Sequence, residues 1–430
     1  MTTSTHDLVI VGGGIGGVIA LRYARAHGLS AVVLEQQGGV GGLWRTLPAW
    51  QDLQILKEDW TLGDVPIAGE DAASVRANIQ AWVERFALAD AIVTGCRVTG
   101  AEWRGEHWEV QSTQGPFRGR FLVAATGAHN RPRIPEVTRR SSTMAEYHSS
   151  TLHDASVLAG KRVTVVGGGA SAQDVLVQAL EHGAAELHWV YRSLNWFTPT
   201  SRRKQDVVAL RFLGKQQLLG VSATKISKHI NEVIGARFKH YDITSLRPTY
   251  AFDLRRHHLI PGRARLLAEL STVARHTGEV AELVGDTVVT KAGERFGCDA
   301  IVWGTGFDVD LGWLGLADLT AAKTPREVAR RLRGFSLARN HPNLFVFGPA
   351  LLDTNGSAPF FYCHLAKAMA RHILGHDTIP VEVVEDQVNY FDLVRLFAKA
   401  DRRSYPPAVW RLPYLRRLWN WRGTTPLPLP

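Results

Sequence analysis

Cysteine is scarce in this 430-residue sequence, which contains only Cys96, Cys298 and Cys363. The three are far apart and form no CxxC pair, so the sequence encodes neither a zinc knuckle nor a redox-active dithiol. The adjacent residues His257 and His258 face apart on any regular element and lack a suitably spaced carboxylate, so we expect no metal site. Sparse, unpaired cysteine is typical of the reducing cytoplasm, where we expect this protein to work.

Long hydrophobic runs and export signals are also lacking. The apolar stretch 8–21 is rich in glycine and is too short to span a bilayer. No basic segment followed by an apolar core and a cleavage site stands at the start, so we expect no signal peptide. No recognised nucleic-acid-binding motif occurs, and we expect no nucleic-acid partner.

Glycine, by contrast, is abundant at 40 residues, and two glycine-rich turns share one pattern. The first follows a β-branched run and places Gly12, Gly14 and Gly17 in a GxGxxG spacing, with Glu35 at the end of the next predicted strand. In this pattern the first glycine allows a tight strand-to-helix turn, and the second lets backbone N–H groups approach a pyrophosphate. The third lets helix and strand pack closely. This turn therefore predicts a dinucleotide site.

The second turn has Gly167, Gly169 and Ala172 at the same positions, with Arg192 at the end of the next predicted strand. The Glu35 carboxylate can accept hydrogen bonds from ribose hydroxyls and would repel a 2′-phosphate, so the first turn should bind FAD or NAD. The Arg192 cation suits a 2′-phosphate, so the second turn should bind NADPH. The alternative is that one of the two turns is vestigial.

The order of these elements predicts an α/β fold with two Rossmann-like dinucleotide-binding domains, the second inserted into the first. The FAD-binding domain would comprise 1–150 and 310–400. The NADPH-binding domain would comprise 151–309, with a helical insertion at about 202–258. Further cofactor-binding residues are expected where a strand enters a glycine turn, namely Thr126, Gly127, Thr305, Gly306 and Gly348.

Local patterns add detail to this organisation. Residues 282–293 read as a hairpin with turns at Gly285-Asp286 and Ala292-Gly293. Apolar residues at helical spacing predict a helix within 261–276, and 360–375 reads as another helix.

The net charge of +10 has two interpretations, of which we favour cations that serve two anionic dinucleotides. The other is an anionic membrane or nucleic-acid partner. The tail, 401–430, is basic and rich in aromatic residues, and from residue 402 onward it contains no acid. It could lie on a membrane surface, wrap a neighbouring subunit or cap its own domain. Its cations and aromatic residues are Arg402, Arg403, Arg411, Arg416, Arg417, Arg422, Trp410, Tyr414, Trp419 and Trp421.

The order of motifs resembles that of the class B flavoprotein monooxygenases, which include flavin-containing, Baeyer–Villiger and N-hydroxylating enzymes. The resemblance covers nearly the whole chain except 202–258 and the tail. The run 41–44 is similar to the family's GGxW element, which implies that Gly42 and Trp44 lie along the flavin. The run 53–58, with Asp64 and Pro66, is similar to a family segment that brings a side-chain amide, here Gln54, to the flavin edge.

The resemblance continues around the second turn. The loop 192–199 resembles the family's loop around the 2′-phosphate of NADPH, with further cations at 202–204. His148 matches the histidine of a family fingerprint between the two domains. Other fingerprint positions differ, and these departures favour oxygenation of nitrogen or sulfur over a Baeyer–Villiger reaction on a ketone. The differing positions are Ser142, Met144 and Leu152.

The resemblance implies a monooxygenase in which NADPH reduces FAD, O₂ adds to give a C4a-(hydro)peroxyflavin, and a small organic substrate is oxygenated. Gln54 would hydrogen-bond the peroxide or the nicotinamide, unless it is simply a satisfied buried amide. His148 is the second candidate catalytic residue, with a hinge or a pyrophosphate neighbour as the blander role.

Two other functions stay open from the sequence. One is an NADPH dehydrogenase or oxidase of the same fold, which inserts no oxygen. The other is a non-catalytic nucleotide-binding or assembly protein that uses the basic tail on a membrane or partner. The sequence predicts neither the substrate nor the oligomeric state.

Overall fold

The computed structural model describes residues 5–55, 57–60, 62, 65–199, 221–257, 259–351, 358–376 and 379. The predicted insertion is therefore described only from residue 221 onward and without His258. The tail, the cations at 202–204 and Asp64 lie outside the described residues, so membrane contact through the tail stays a prediction. No helix in the described part of the chain is both long and apolar enough to cross a bilayer.

The strands are numbered in chain order. They are β1 Thr5–Val11, β2 Ala31–Leu34, β3 Ile92–Val93, β4 Val98–Trp103, β5 Trp108–Ser112, β6 Phe117–Ala124, β7 Arg131–Pro132, β8 Thr138–Arg140, β9 Ala145–His148, β10 Arg162–Val166, β11 Glu186–Tyr191, β12 Phe197–Thr198, β13 Ile260–Pro261, β14 Val273–Thr277, β15 Val280–Val284, β16 Thr287–Thr290, β17 Arg295–Gly297, β18 Ala300–Trp303, β19 Phe307–Asp308, β20 Leu332–Arg333, β21 Leu337–Ala338 and β22 Leu344–Val346.

The α-helices are α1 Ile15–Ala26, α2 Lys57–Trp60, α3 Ala72–Arg85, α4 Ala170–Glu181, α5 Ala223–His240, α6 Ala264–Ala268, α7 Ala317–Thr320, α8 Pro325–Ala329 and α9 Ala358–Ile373. Short 3₁₀ turns occur at Gly42–Arg45, Ala89–Ala91, Ala155–Leu158, Thr244–Leu246, Leu270–Thr272, Gly312–Leu314 and Pro349–Leu351.

The chain divides into two compact units. The described residues of Met1–Thr46, Ile55–Asn130 and Asp308–Pro430 form the first, and Leu47–Gln54 with Arg131–Phe307 forms the second. The long segment of the second unit therefore begins at Arg131, whereas the sequence suggested residue 151. The physical reason is strand pairing, because β8 and β9 belong to the sheets of the second unit.

A nine-stranded sheet with a parallel centre organises the first unit. Strand β1 pairs in parallel with β2 on one side and with β6 on the other. The order is β20-β21-β22-β6-β1-β2-β3, and β4 and β5 extend the sheet from β6 as antiparallel strands. Leu8, Val9 and Ile10 of β1 are fully buried, as expected for a parallel strand that is covered on both faces.

A five-stranded parallel sheet organises the second unit, in the order β14-β11-β10-β18-β9. From β10 the chain adds β11 and then β14 on one side, and it then crosses to β18 on the other side of β10. This strand order is the Rossmann arrangement. A smaller sheet, β17-β16-β15-β8, contains the predicted hairpin with its two turns between β15, β16 and β17. The predicted α/β fold with two Rossmann-like domains is confirmed.

Helix α5 is the longest element in the described part of the predicted helical insertion. Its apolar face is buried in the core of the second unit through Ile226, Ile230 and Phe238. The Phe238 ring meets the Phe197 ring edge-on, with centroids 4.9 Å apart. The helix is therefore packed into its domain through a continuous apolar face.

The helix predicted within 261–276 is wrong in its second half. Helix α6 ends at Ala268, and Val273 begins β14. Strand β14 pairs in parallel with β11 from Leu187 to Tyr191. Backbone pairing with β11, which is distant in sequence, therefore determines the structure of this segment, although its apolar residues have helical spacing.

Candidate dinucleotide-binding sites

The first glycine turn brings β1 and α1 into contact at backbone level. Gly12 has φ of 110°, and a Cβ there would clash with the carbonyl of Ala125. A Cβ at Gly17 would clash with the carbonyl oxygen of Gly12. The turn therefore tolerates only glycine at these two positions, and α1 starts directly after the strand with its N-terminal N–H groups available to an anion.

Gly14 plays a different part, because its own surroundings leave room for a methyl group. A Cβ at Gly14 would meet only the Cα of Gly42, at 3.6 Å. Gly42 has φ of 54°, and the adjoining Gly41 N–H donates to the Gly13 carbonyl at 3.0 Å. Two bare backbones thus face each other over the start of α1, which is a cradle of the kind that a pyrophosphate needs.

The predicted acidic residue lies at this turn. Glu35 is 3 % exposed, its Oε2 accepts from the Gly13 N–H at 2.5 Å, and its Oε1 accepts from the Gln37 N–H at 2.7 Å. An ionised carboxylate has about four lone-pair sites, so each oxygen can still accept from a ribose hydroxyl. The end of β2 is therefore tied to the phosphate-binding turn by the residue proposed to bind the ribose.

The Thr-Gly turn after β6 lies beside the glycine after β22. A Cβ at Gly348 would lie 3.4 Å from the Cα of Gly127. The neighbouring Thr126 hydroxyl is buried and has no hydrogen-bond partner among the described residues. An orphaned hydroxyl next to an open glycine cradle is what a site for a polar ligand requires. The first unit therefore fits FAD at this turn.

Tyr362 was missed by sequence reasoning. A Cβ at Gly16 would lie 2.9 Å from its ring, and one at Gly348 would lie 3.2 Å from its hydroxyl. Burial raises the pKa of Tyr362 to about 12, so the phenol stays neutral. The ring packs the start of α1 against the end of β22. The glycines in the sequence could have signalled a bulky neighbour, but not which residue it would be.

Trp44 lies in the 3₁₀ turn Gly42–Arg45, half-buried. Its ring meets that of Trp60 at a steep angle of 76°, with centroids 5.6 Å apart. Trp60, in contrast, is buried at 5 % exposure. The pair fixes the orientation of the indole that the family resemblance assigns to the flavin.

The second turn repeats this backbone contact with one residue exchanged. Gly167 has φ of 136°, and a Cβ there would clash with the Gly304 carbonyl. Where the first turn has Gly17, the second has Ala172, and a Cβ at Gly304 would lie 2.8 Å from the Cα of Ala172. The methyl group of Ala172 therefore fits because residue 304 is glycine. A Cβ at Gly169 would meet only the Asn195 side-chain amide, at 3.6 Å, so this position is as open as that of Gly14 in the first turn.

Arg192 follows β11 at the edge where the second turn lies. Its side chain is 75 % exposed, and its Nη1 is 3.2 Å from Oε1 of Glu279. The Ser193 carbonyl packs directly on Gly168, so the residue after Arg192 forms part of the turn. This position is suited to a cation that binds a ribose phosphate.

His148 is buried at 3 % exposure, and both of its ring nitrogens are engaged. Nδ1 accepts from the Ser150 N–H at 3.2 Å, so Nε2 carries the proton and donates to the Gly306 carbonyl at 3.0 Å. The Thr305 hydroxyl donates to the Arg133 carbonyl. Burial lowers the pKa of His148, so the imidazole is neutral at pH 7. These contacts describe a residue that holds the second Thr-Gly turn in place.

Gln54 lies in the second unit beside an arginine that sequence reasoning missed. Its Oε1 accepts from Nη2 of Arg263 at 2.7 Å, and Nε of Arg263 pairs with Asp174 at 2.5 Å. The two ionic side chains are only 10 % and 17 % exposed. Asp174 belongs to α4, the helix that starts at the second turn, so one buried ion pair connects that helix to the amide of Gln54.

Substitutions of Gly14 and Gly17 in the first turn should distinguish a phosphate-binding position from a packing position. We expect Gly17→Ala to lower the unfolding temperature of the cofactor-free protein by at least about 4 °C, because its methyl group clashes with backbone. Gly14→Ala should leave that temperature nearly unchanged and weaken FAD binding, since its methyl group enters the cradle. Calorimetry and flavin titration measure the two effects. A larger loss of stability in Gly14→Ala would contradict this assignment.

The Arg263–Asp174 pair should matter for stability because breaking a largely buried pair leaves a charge without its partner. We expect Arg263→Met to cost about 3 kcal/mol in the free energy of unfolding. The control is Arg265→Met on α6, which removes a more exposed pair with Glu269 and should cost less than about 0.5 kcal/mol. Thermal unfolding of both variants gives the comparison, and equal losses would refute the claim that the first pair is structurally important.

Comparison with known proteins agrees with this geometry. A Baeyer–Villiger monooxygenase from Streptomyces coelicolor is 27 % identical over 80 % of this chain and 73 % of its own length. A flavin-containing monooxygenase structure from Stenotrophomonas maltophilia covers 86 % of this chain and 99 % of its own, with a TM-score of 0.64 and 20 % identity. A structure described as OTEMO in complex with FAD and NADP covers 87 % of this chain and 85 % of its own, with a TM-score of 0.65 and 18 % identity.

These matches confirm the predicted resemblance to class B flavoprotein monooxygenases and the predicted enzyme class. A family model described as pyridine nucleotide-disulphide oxidoreductase matches residues 9–237, which is more than half of the chain. All three cysteines of the chain are free and buried. With both nucleotide turns, their strand order and this match in agreement, the chain belongs to the pyridine nucleotide-disulphide oxidoreductase family.

Proposed function

We propose that this protein is an FAD-dependent monooxygenase that consumes NADPH and O₂ and oxygenates a nitrogen or sulfur atom of a small organic molecule. One observation carries the proposal. Both glycine turns are structurally complete, and the residues at their two ribose positions have opposite charge, with a buried carboxylate at Glu35 and an exposed cation at Arg192. One domain is thus suited to FAD and the other to NADPH.

FAD supplies the redox chemistry when bound, since reduced flavin activates O₂ for transfer of one oxygen atom. The residues of this chain bind and orient the two cofactors. Gly12, Gly14, Gly17 and Gly42 would hold the FAD pyrophosphate, and Glu35 would accept from its ribose. Gly167, Gly169 and Arg192 would hold NADPH, with Ala172 supporting the turn. The remaining proposed contacts are Trp44, Thr126, Gly127, Thr305, Gly306 and Gly348.

Gln54 is the polar side chain that we propose acts on the reacting cofactors. Its carbonyl oxygen is occupied by Arg263, and its amide nitrogen lies 3.4 Å from the Asp52 carbonyl. The 3.4 Å contact with Asp52 is weak and leaves the NH₂ group of Gln54 available as a donor. The 2.7 Å hydrogen bond from Arg263 fixes the orientation of the amide. The ion pair with Asp174 holds Arg263 in turn, so the amide is preorganised.

For His148 we propose a positioning role over an acid/base role. Its Nε2 proton is already donated to Gly306, and its Nδ1 accepts from Ser150. Proton transfer at either nitrogen would break one of these contacts. The imidazole instead keeps the glycine turn after β18 in the shape that nucleotide binding needs.

A second candidate function is Baeyer–Villiger oxidation of a ketone, favoured by the activity named for the Streptomyces relative. The departures at Ser142, Met144 and Leu152 favour nitrogen or sulfur instead. An NADPH oxidase without oxygen transfer is the third candidate, because the same two cofactor sites would serve it.

A turnover experiment tests these functions together. The FAD-loaded protein is supplied with NADPH and ¹⁸O₂ and with a panel of amines, sulfides and ketones. We expect one labelled oxygen atom in an amine or sulfide product for each NADPH oxidised. A labelled ester from a ketone would support the Baeyer–Villiger reaction. Stoichiometric hydrogen peroxide with every substrate would identify an oxidase, and a protein that cannot be loaded with flavin would refute all three.

The 2′-phosphate assignment has its own test. We expect Arg192→Ala to raise the KM for NADPH about 10-fold or more and to change the KM for NADH little, because a charged hydrogen bond is worth about 1.5–3 kcal/mol. The matched control is Arg275→Ala on β14, whose side chain donates to Ser245. Steady-state kinetics with both nucleotides measure the effect. Equal changes for NADPH and NADH would show that Arg192 does not bind the phosphate.

A further inference from the structure

The carboxylate of Glu279 forms ion pairs with two cations, Arg192 and Lys291, beside the second nucleotide turn. Oε1 of Glu279 is 3.2 Å from Nη1 of Arg192, and Oε2 forms an ion pair with Nζ of Lys291. Each carboxylate oxygen therefore contacts one cation. This is the arrangement that a phosphate group would make with the same pair, one oxygen to each.

Backbone hydrogen bonds place the three residues together. Strands β11 and β14 are parallel neighbours, and the Gly278 N–H donates to the Tyr191 carbonyl at 2.9 Å where both strands end. The Lys291 N–H donates to the Glu279 carbonyl at 2.8 Å. Arg192, Glu279 and Lys291 thus lie at the carboxyl edge of the sheet, where nucleotides bind in open α/β sheets.

We propose that Glu279 is a specificity-determining residue that competes with the 2′-phosphate of NADPH for Arg192 and Lys291. The proposal rests on the proposed binding of NADPH at the second turn. To engage both cations, the phosphate must displace a negative charge that already holds them. The 2′-hydroxyl of NADH carries no charge and can donate a hydrogen bond to the same carboxylate. Glu279 therefore weakens NADPH binding and supports NADH binding.

The competing charge is permanent over the working pH range. The ion pair with Lys291, and then the contact with Arg192, hold the pKa of Glu279 below its usual range. All three side chains are at least one-third exposed, at 75 % for Arg192, 35 % for Glu279 and 66 % for Lys291. Water screens such pairs, so a phosphate dianion can displace the carboxylate, and the effect is a graded change in preference.

Titration calorimetry of NADP⁺ and NAD⁺ tests the proposal without relying on turnover. We expect Glu279→Gln to raise the ratio of Kd for NAD⁺ to Kd for NADP⁺ by at least about fivefold, the factor from one unit charge a few ångströms away in a water-like dielectric. NADP⁺ should bind more tightly, and NAD⁺ should bind equally or more weakly. The control is Glu282→Gln on β15, which removes a carboxylate paired with Arg140 and should leave the ratio unchanged.

A double variant shows whether the effect acts through the cation. In Arg192→Ala/Glu279→Gln the gain in NADP⁺ affinity should shrink, because one of the contested cations is gone. If Glu279→Gln weakens NADP⁺ or leaves the ratio unchanged, Glu279 only positions its neighbours and the proposal is overturned. A parent protein that binds neither nucleotide would instead refute the proposed function itself, so the two failures are distinguishable.

Discussion

Close contact between backbones at the start of a helix is the constraint on which both nucleotide sites depend. In the first unit the Gly12 carbonyl lies where a Cβ of Gly17 would be, and in the second a Cβ of Gly304 would lie 2.8 Å from the Cα of Ala172 in α4. Each contact seats a helix directly on the end of a buried parallel strand. The helix N–H groups that lack internal partners then face the space beyond the strand, which makes that space attractive to phosphate.

The two turns solve the same packing problem with different residues. Ala172 replaces the third glycine of the second turn, and the structure accommodates its methyl group because residue 304 carries none. The two turns differ in charge at the end of the strand that follows each helix. Glu35 is buried and anchored by two backbone N–H groups, whereas Arg192 is exposed at the equivalent strand end. The backbone geometry is thus shared, and the charge at the end of the second strand is the feature on which the proposed assignment of FAD and NADPH to the two turns rests.

Several candidate site residues form hydrogen bonds or ion pairs with other residues of the chain. His148 uses both ring nitrogens to hold the turn at Gly306 and Ser150. Gln54 receives its orientation from Arg263, which is itself held by Asp174. Arg192 is partnered by Glu279. Apart from Ser150, each of these partners is distant in sequence from the residue that it contacts, and no local pattern predicts it. The helix expected within 261–276 fails for a related reason, since Val273 joins a ladder with β11.

The sequence by itself determined the two turns, the opposite charges after them, the hairpin of β15 and β16, and the two-domain α/β fold. Those features are local, because glycine spacing and alternating or continuous apolar runs depend on the backbone conformation of a few neighbouring residues. Only the tertiary structure decided that the long segment of the second unit begins at Arg131, that Tyr362 packs on Gly16, and that Arg263 and Glu279 lie beside the predicted site residues. These contacts join segments far apart in the chain, and they form only when parallel strands bring their ends to a common edge.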